Sequence, residues 1–139
     1  MGRVLAVDLG SKRVGLALSD LTRTIAQPLG AMAAEPASSL VRRLSERARQ
    51  EGCDEVVIGL PRRLDGGFGP EAHAARTTAD ELRRSAGLRV HLVDERLTSV
   101  QAERSLIEQG VSRRRRRTLS DPVAATLILQ GFLGAIDRG

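Results

Sequence analysis

The sequence has few of the residues that build disulfide frameworks, thiolate metal sites or aromatic binding surfaces. Cys53 is its one cysteine, so no disulfide can form within the chain and a cysteine-rich zinc site is excluded. Tryptophan and tyrosine are absent, and Phe68 and Phe132 are the two phenylalanines. So small an aromatic content argues against nucleic-acid binding on an aromatic sheet surface, as in single-strand binding proteins.

Long apolar runs are also missing. No stretch approaches the ~18 apolar residues that a membrane-spanning helix needs, and the N-terminus enters a strand pattern without the features of an export signal. We therefore expect no membrane partner and a location in the reducing cytoplasm. With 139 residues, of which 41% are hydrophobic, residues 1–139 are expected to form a single α/β domain.

Positive charge is abundant and is carried almost entirely by arginine. Lysine and arginine number 22 against 17 acidic residues, and Lys12 is the one lysine. Guanidinium groups bind phosphates through paired hydrogen bonds, which favours a nucleic-acid partner, although genomic base composition alone could also enrich arginine. The five arginines at 113–117 favour the first interpretation, because like charges at that density repel unless a polyanion binds them. The alternative for this run is a solvated loop.

Hydrophobic patterning predicts the order of helices and strands. Three strands come first, over residues 4–9, 14–19 and 25–32, and Pro28 marks the third as an edge strand. Two further strands are predicted over 55–60 and 88–93, with helices from Ser38 or Ser39 to Gly52 and over 71–86, 98–109 and 123–136. This order predicts a five-stranded mixed sheet, antiparallel through its first three strands and parallel through the last two, with helices on both faces.

Four carboxylates occupy positions from which they could meet. Asp8 ends the first predicted strand, Asp94 and Glu95 follow the fifth, and Asp121 begins the last helix. The carboxyl ends of parallel strands lie at one edge of a sheet, where sites are usually built. Neighbouring carboxylates repel unless a cation joins them, and Mg²⁺ or Mn²⁺ prefers oxygen ligands. Two such ions ~3.5–4 Å apart are a known arrangement for phosphodiester hydrolysis.

Each acidic residue also has a purely structural interpretation. Asp121 before Pro122 is a common start of a helix, in which the aspartate caps the first turn. Asp94 or Glu95 could simply pair with Arg96.

Asp8 is harder to explain in this way, since it closes an apolar strand and needs a partner. Lys12 and Arg13, in the turn that follows, could be that partner. The residues alone leave a metal ion and these two cations as alternatives.

Five segments of the chain resemble, in order, the YqgF family of bacterial proteins, described as pre-16S ribosomal RNA nucleases or Holliday junction resolvases. The segments are DLGSKRVGLALSD (8–20), VIGLP (57–61), DGG with GP (65–70), VDERLTS (93–99), and Asp121 with AA (124–125) and ILQ (128–130). Each motif is weak alone, but five in register across the chain are specific. The resemblance implies a ribonuclease H-like fold and a nuclease that depends on Mg²⁺ or Mn²⁺.

The resemblance also implies roles for individual residues. Asp8, Glu95 and Asp121 would be the catalytic metal ligands, and the family pattern favours Glu95 over Asp94 as the inward carboxylate. Pro122 departs from the usual residue after the helix aspartate. The substrate phosphates would be held by basic residues, namely Lys12, Arg13, Arg96, Arg113, Arg114, Arg115, Arg116 and Arg117.

The substrate and the activity itself stay open on sequence grounds. The family implies processing of the 5′ end of pre-16S rRNA, within ribosomal precursor particles, or resolution of Holliday junctions, by a monomer or a homodimer. A non-catalytic nucleic-acid-binding or ribosome-binding module with the same fold is the main alternative. An actin-like ATPase would begin with a similar Asp-x-Gly hairpin, but it needs a second matching domain that 139 residues cannot supply.

Overall fold

The structure is a computed structural model that describes residues 2–63, 65–98, 100 and 122–138. Within these residues the strands are β1 (Arg3–Leu9), β2 (Arg13–Ser19), β3 (Ala26–Ala33), β4 (Cys53–Leu60) and β5 (Arg89–Asp94). The helices are α1 (Leu40–Gln50), α2 (Pro70–Ala86) and α3 (Pro122–Arg138), with short 3₁₀ helices at Ala37–Ser39 and Glu95–Leu97. None of these helices combines the length and the apolar character that crossing a bilayer requires.

The five strands form one mixed sheet in the order β3-β2-β1-β4-β5. β1 pairs with β2 and β2 with β3 in antiparallel register, whereas β1 pairs with β4 and β4 with β5 in parallel register. This arrangement confirms the predicted sheet. Pro28 lies on the edge strand β3, as expected for a residue that cannot donate to a ladder, and a register shift between Leu16 and Ala17 bends the pairing beside it.

Helices cover both faces of the sheet, because the strands direct apolar side chains to both faces. We call the side under α1 and α2 the α1–α2 face and the side under α3 the α3 face. The buried cluster of the α1–α2 face includes Leu5, Val7, Ile58, Leu44 and Leu82. The buried cluster of the α3 face includes Val4, Ala6, Val57, Ile128 and Leu129. The central strands are therefore buried on both faces, as their continuous apolar sequences predict.

Two predicted helix ends can be compared with the structure, and one of them lacks the predicted side-chain cap. Ser39 occupies the N-cap position of α1, but its hydroxyl does not cap the helix: it donates to the Pro36 carbonyl at 3.1 Å and accepts from Arg43 Nε at 2.9 Å. The preceding 3₁₀ turn directs the side chain away from the first helical amides. The predicted end of α2 is confirmed, with Gly87 in the left-handed conformation at φ 66°.

The predicted helix over 98–109 lies almost wholly outside the described residues. Within them, Thr98 Oγ1 accepts a hydrogen bond of 3.2 Å from the Val100 amide, as an N-cap residue does. Residues 113–117 and Asp121 also lie outside the described residues.

Candidate functional site

Asp8 is a buried carboxylate near the carboxyl end of β1. Successive strand residues point to opposite faces, so Asp8 follows Val4 and Ala6 onto the α3 face. Its relative exposure is 7%, although its neighbours in the following turn are exposed. A charged group this well buried needs compensating interactions, and its position at the edge of the sheet is one where a ligand can supply them.

Glu95 and Asp94 point to different faces, which answers the question of parity that the sequence leaves open. Val90 and Leu92 pack on the α1–α2 face, so Asp94, at the end of β5, belongs to that face. Glu95 begins the 3₁₀ helix that follows, and its Oε1 lies beside Gly59 on the side of the sheet that meets Ile128 of α3. Glu95 is 1% exposed. Glu95, and not Asp94, is therefore the carboxylate that lies on the same face of the sheet as Asp8.

Gly59 on β4 makes room between these two strand ends. In the parallel ladders Val7 pairs with Ile58 and Gly59 pairs with Val93, so Gly59 lies between β1 and β5 at the level of the carboxylates. A Cβ atom at this position would be 3.4 Å from Glu95 Oε1 and 2.5 Å from Ile128 Cδ1. The space that a side chain at position 59 would need is thus occupied by the Glu95 carboxylate and by Ile128 of α3.

Asp94 is held by arginines instead of facing the buried carboxylates. Its Oδ2 lies 3.0 Å from Arg96 Nη2 and 3.3 Å from Arg62 Nη1, and its Oδ1 accepts from the Arg96 amide at 2.9 Å. Burial opposes ionisation of Asp94, but the hydrogen bonds from Arg96 and the charges of Arg96 and Arg62 outweigh it, so its pKa is lowered. Asp94 therefore fixes two cations at the rim of the site.

The turn between β1 and β2 places Lys12 and Arg13 at the same edge. Gly10 donates to the Arg13 carbonyl at 3.0 Å, and a Cβ on Gly10 would be 2.4 Å from that oxygen, so the turn needs glycine. The Lys12 carbonyl accepts from the Ala34 amide at 2.9 Å, which ties the turn to the end of β3. Both cationic residues are exposed, next to the end of β1 that carries Asp8.

The predicted ligand set can be compared with the structure only in part. Asp8 and Glu95 are brought to one edge and one face, and their oxygens are of the type that Mg²⁺ and Mn²⁺ prefer, so they fit a divalent cation. Across the described ranges no group of three His, Cys, Asp or Glu side chains is arranged to hold a metal ion. Asp121, the third predicted ligand, lies outside those ranges.

Two residues of this region have no role in the sequence-based prediction. Gly59 provides the space that Glu95 fills, and Arg62 pairs with Asp94. A glycine inside an otherwise apolar strand is a signal of close approach by another group, so Gly59 could have been recognised. Arg62 had no such signal, because its contact depends on the path of the loop after β4.

The five-stranded mixed sheet with helices on both faces is a ribonuclease H-like fold. Two structures of RuvC from Thermus thermophilus share this fold. The first, in complex with a Holliday junction substrate, has a TM-score of 0.63 and 14% identity, with coverage of 100% of this chain and 97% of the other. The second has a TM-score of 0.54 and 15% identity, with coverage of 98% and 96%.

Sequence comparison identifies the family. The model of the family described as "RuvX: Holliday junction resolvase" matches residues 2–135, and the chain belongs to this family, also called YqgF. A protein of Moorella thermoacetica named "Putative pre-16S rRNA nuclease" is 46% identical over 136 residues, covering 98% of this chain and 97% of the relative. A protein of the same name from Pelotomaculum thermopropionicum is 46% identical over 137 residues, covering 98% and 89%.

Proposed function

We propose that this protein is a nuclease that hydrolyses phosphodiester bonds in structured nucleic acid with the help of Mg²⁺ or Mn²⁺. One observation carries the proposal: Asp8, near the end of β1, and Glu95, directly after β5, are both buried at the same edge and on the same face of the sheet. A divalent cation bound at this edge would offset the cost of burying the two carboxylates. Membership of the RuvX family supports the same conclusion.

Asp8, Glu95 and Asp121 are proposed to hold the cation. When bound, a divalent ion supplies electrostatic stabilisation of the charge that develops on the phosphate and polarises a nearby water. The protein residues fix the position of this charge: the ladder of β1 with β2 holds Asp8, and the space at Gly59 admits Glu95. In this way the sheet orients the oxygen ligands before substrate arrives.

Basic residues at the same edge are proposed to bind the flanking phosphates. Lys12 and Arg13 extend from an exposed turn, and Arg96 is positioned by Asp94. The arginines at 113–117 are proposed to extend this surface. Contacts of this kind recognise the backbone in RNA or DNA, so the names of the relatives decide the candidate substrates: precursor 16S rRNA, free or in ribosomal precursor particles, and four-way DNA junctions.

The test is cleavage of two labelled substrates, a precursor 16S rRNA fragment and a four-way DNA junction, by purified protein with Mg²⁺, with Mn²⁺ and with EDTA. Asp8→Asn and Glu95→Gln keep the size of each side chain and remove one negative charge. We expect each variant to lower the cleavage rate on the order of 100-fold or more, because several kcal/mol of charge stabilisation depend on the metal ligands.

Asp80→Asn is the matched control, since Asp80 is an exposed carboxylate on α2 that pairs with Arg83. It should cleave as the unmodified protein does, and all variants should keep their nucleic-acid affinity in EDTA. Undiminished cleavage by Asp8→Asn would overturn the assignment of the site. Tight binding of either substrate with no cleavage under any condition would instead identify a non-catalytic binding module.

A further inference from the structure

An exposed aromatic ring in the loop that leaves the carboxyl end of β4 is contacted by two arginines. The guanidinium carbon of Arg62 is 4.0 Å from the centroid of the Phe68 ring, and that of Arg76 is 4.3 Å from it. Phe68 is 42% exposed and Arg76, on α2, is exposed as well. We call these three side chains the arginine–phenylalanine stack.

The stack is anchored to the candidate site. Arg62 is largely buried, with a side-chain exposure of 14%, and its Nη1 lies 3.3 Å from Asp94 Oδ2. The loop is closed by a hydrogen bond of 2.8 Å from the Arg63 amide to the Gly67 carbonyl and another of 2.8 Å from the Gly66 amide to the Arg63 carbonyl. Phe68 is therefore presented by a defined turn, at the sheet edge that carries Asp8 and Glu95.

A solvent-exposed phenylalanine flanked by guanidinium groups suits one kind of ligand. Unpaired nucleobases stack on aromatic rings and on guanidinium planes, and the same arginines attract the phosphate attached to the base. Paired bases in a duplex cannot stack in this way, because both of their faces are covered by neighbouring pairs. A phenylalanine ring adds little affinity to a surface that binds only phosphates, since it contributes by stacking on a planar group such as a base.

We propose that the arginine–phenylalanine stack binds an unpaired nucleotide of the substrate beside the scissile phosphate. This inference rests on the proposed nuclease function, which brings nucleic acid to this edge. It differs from an aromatic sheet surface, because a single ring on a loop meets a single base. Recognition occurs through the face of the base and its phosphate, so an unpaired nucleotide of RNA or of DNA is bound alike.

The experiment measures equilibrium binding in EDTA, so that it does not depend on hydrolysis. The probe is a duplex with a single-stranded tail that contains 2-aminopurine, prepared as RNA and as DNA, and the same duplex without a tail. Phe68→Leu should weaken binding of both tailed probes by roughly 10-fold and relieve the stacking-induced quenching of 2-aminopurine fluorescence. Binding of the duplex without a tail should not change.

Two variants on one helix provide a charge-matched comparison. Arg76→Gln should weaken binding of the tailed probes, whereas Arg84→Gln, which removes an exposed arginine elsewhere on α2, should not. Thermal unfolding of Phe68→Leu should match that of the unmodified protein, because leucine keeps the apolar character of this half-exposed position.

The outcomes separate this inference from the proposed function. Tailed probes that bind equally well to Phe68→Leu overturn the stack alone. Equal weakening with and without a tail also overturns it, by showing that the ring only supports phosphate contacts. A loss restricted to RNA or to DNA would contradict recognition through the base face. Failure of the unmodified protein to bind any probe would overturn both proposals.

Discussion

At the scale of the residue, a third buried carboxylate shows how a charge is compensated away from the candidate site. Glu55, near the start of β4, is 6% exposed. Its Oε1 lies 2.5 Å from Arg23 Nη1 and 3.3 Å from Arg89 Nη2, and its Oε2 lies 2.6 Å from His91 Nε2. Arginine and histidine side chains of the protein thus surround the Glu55 carboxylate.

These contacts make the stability of the protein depend on pH through Glu55. Burial raises the pKa of Glu55, but the hydrogen bonds from Arg23 and His91 and the charges of Arg23 and Arg89 outweigh it, so the net pKa is lowered. A carboxyl with a lowered pKa in the folded state stabilises the protein above its ordinary pKa. This stabilisation is lost as the pH falls through the lowered value.

We therefore predict that Glu55→Gln reduces the free energy of unfolding by about 2 kcal/mol at pH 7, where a charged hydrogen-bonded carboxylate is replaced. The difference between variant and unmodified protein should shrink as the pH falls below the ordinary glutamate pKa and through the lowered value, because the unmodified carboxyl then becomes protonated. Urea unfolding at several pH values measures both effects. Glu46→Gln, which alters an exposed pair with Arg42 on α1, should show neither, and a loss at Glu55 that is constant with pH would contradict the linkage.

At the scale of the element, the contact between β4 and α3 decides how closely the last helix can approach the sheet. A Cβ at Gly59 would lie 2.5 Å from Cδ1 and 3.3 Å from Cγ1 of Ile128, which is fully buried and has little room to move. Because α3 begins at Pro122, this contact also fixes the helix that follows Asp121, the proposed third metal ligand, in the sequence.

We predict that Gly59→Ala lowers the free energy of unfolding by about 1–3 kcal/mol through overpacking. Ile128→Val removes the crowded methyl group and alone costs about 0.5–1.5 kcal/mol. The double variant should lose less than the sum of the two, because the valine relieves the clash. The control is Leu82→Ala, in the core on the α1–α2 face, whose loss of unfolding free energy should add to that of Gly59→Ala. If the losses of Gly59→Ala and Ile128→Val were also additive, the proposed clash between positions 59 and 128 would be contradicted.

At the scale of the whole molecule, the strand order and the two-sided burial could be predicted because they follow from patterns of apolar residues. Alternation and turn residues located all five strands, and Pro28 identified the edge. Contacts between distant segments could not be predicted in this way. The pair of Arg62 with Asp94 and the ring contacts of Phe68 depend on how a loop folds back, which local pattern does not encode.

The candidate site, like the fold, could be predicted only where local sequence patterns determine it. Asp8 could be singled out because it closes an apolar strand, whereas the choice between Asp94 and Glu95 needed the register of β5. A shift of one residue would have exchanged their faces. The assignment of Asp8, Glu95 and Asp121 as metal ligands, and of the arginines as phosphate ligands, stays a prediction.

The charge of the whole molecule leads to the last prediction, which concerns the arginines at 113–117. If they bind phosphates, changing Arg114 and Arg116 together to glutamine removes two contacts and lowers the slope of log K against log salt by about 1.4 to 1.8. Binding should weaken by a similar factor for unrelated sequences, as measured by salt titration in EDTA. Changing Arg42 and Arg49, two exposed arginines on α1, to glutamine removes the same charge from the α1–α2 face and should leave the slope unchanged. An unaltered slope for the first pair would show that the run is a solvated loop.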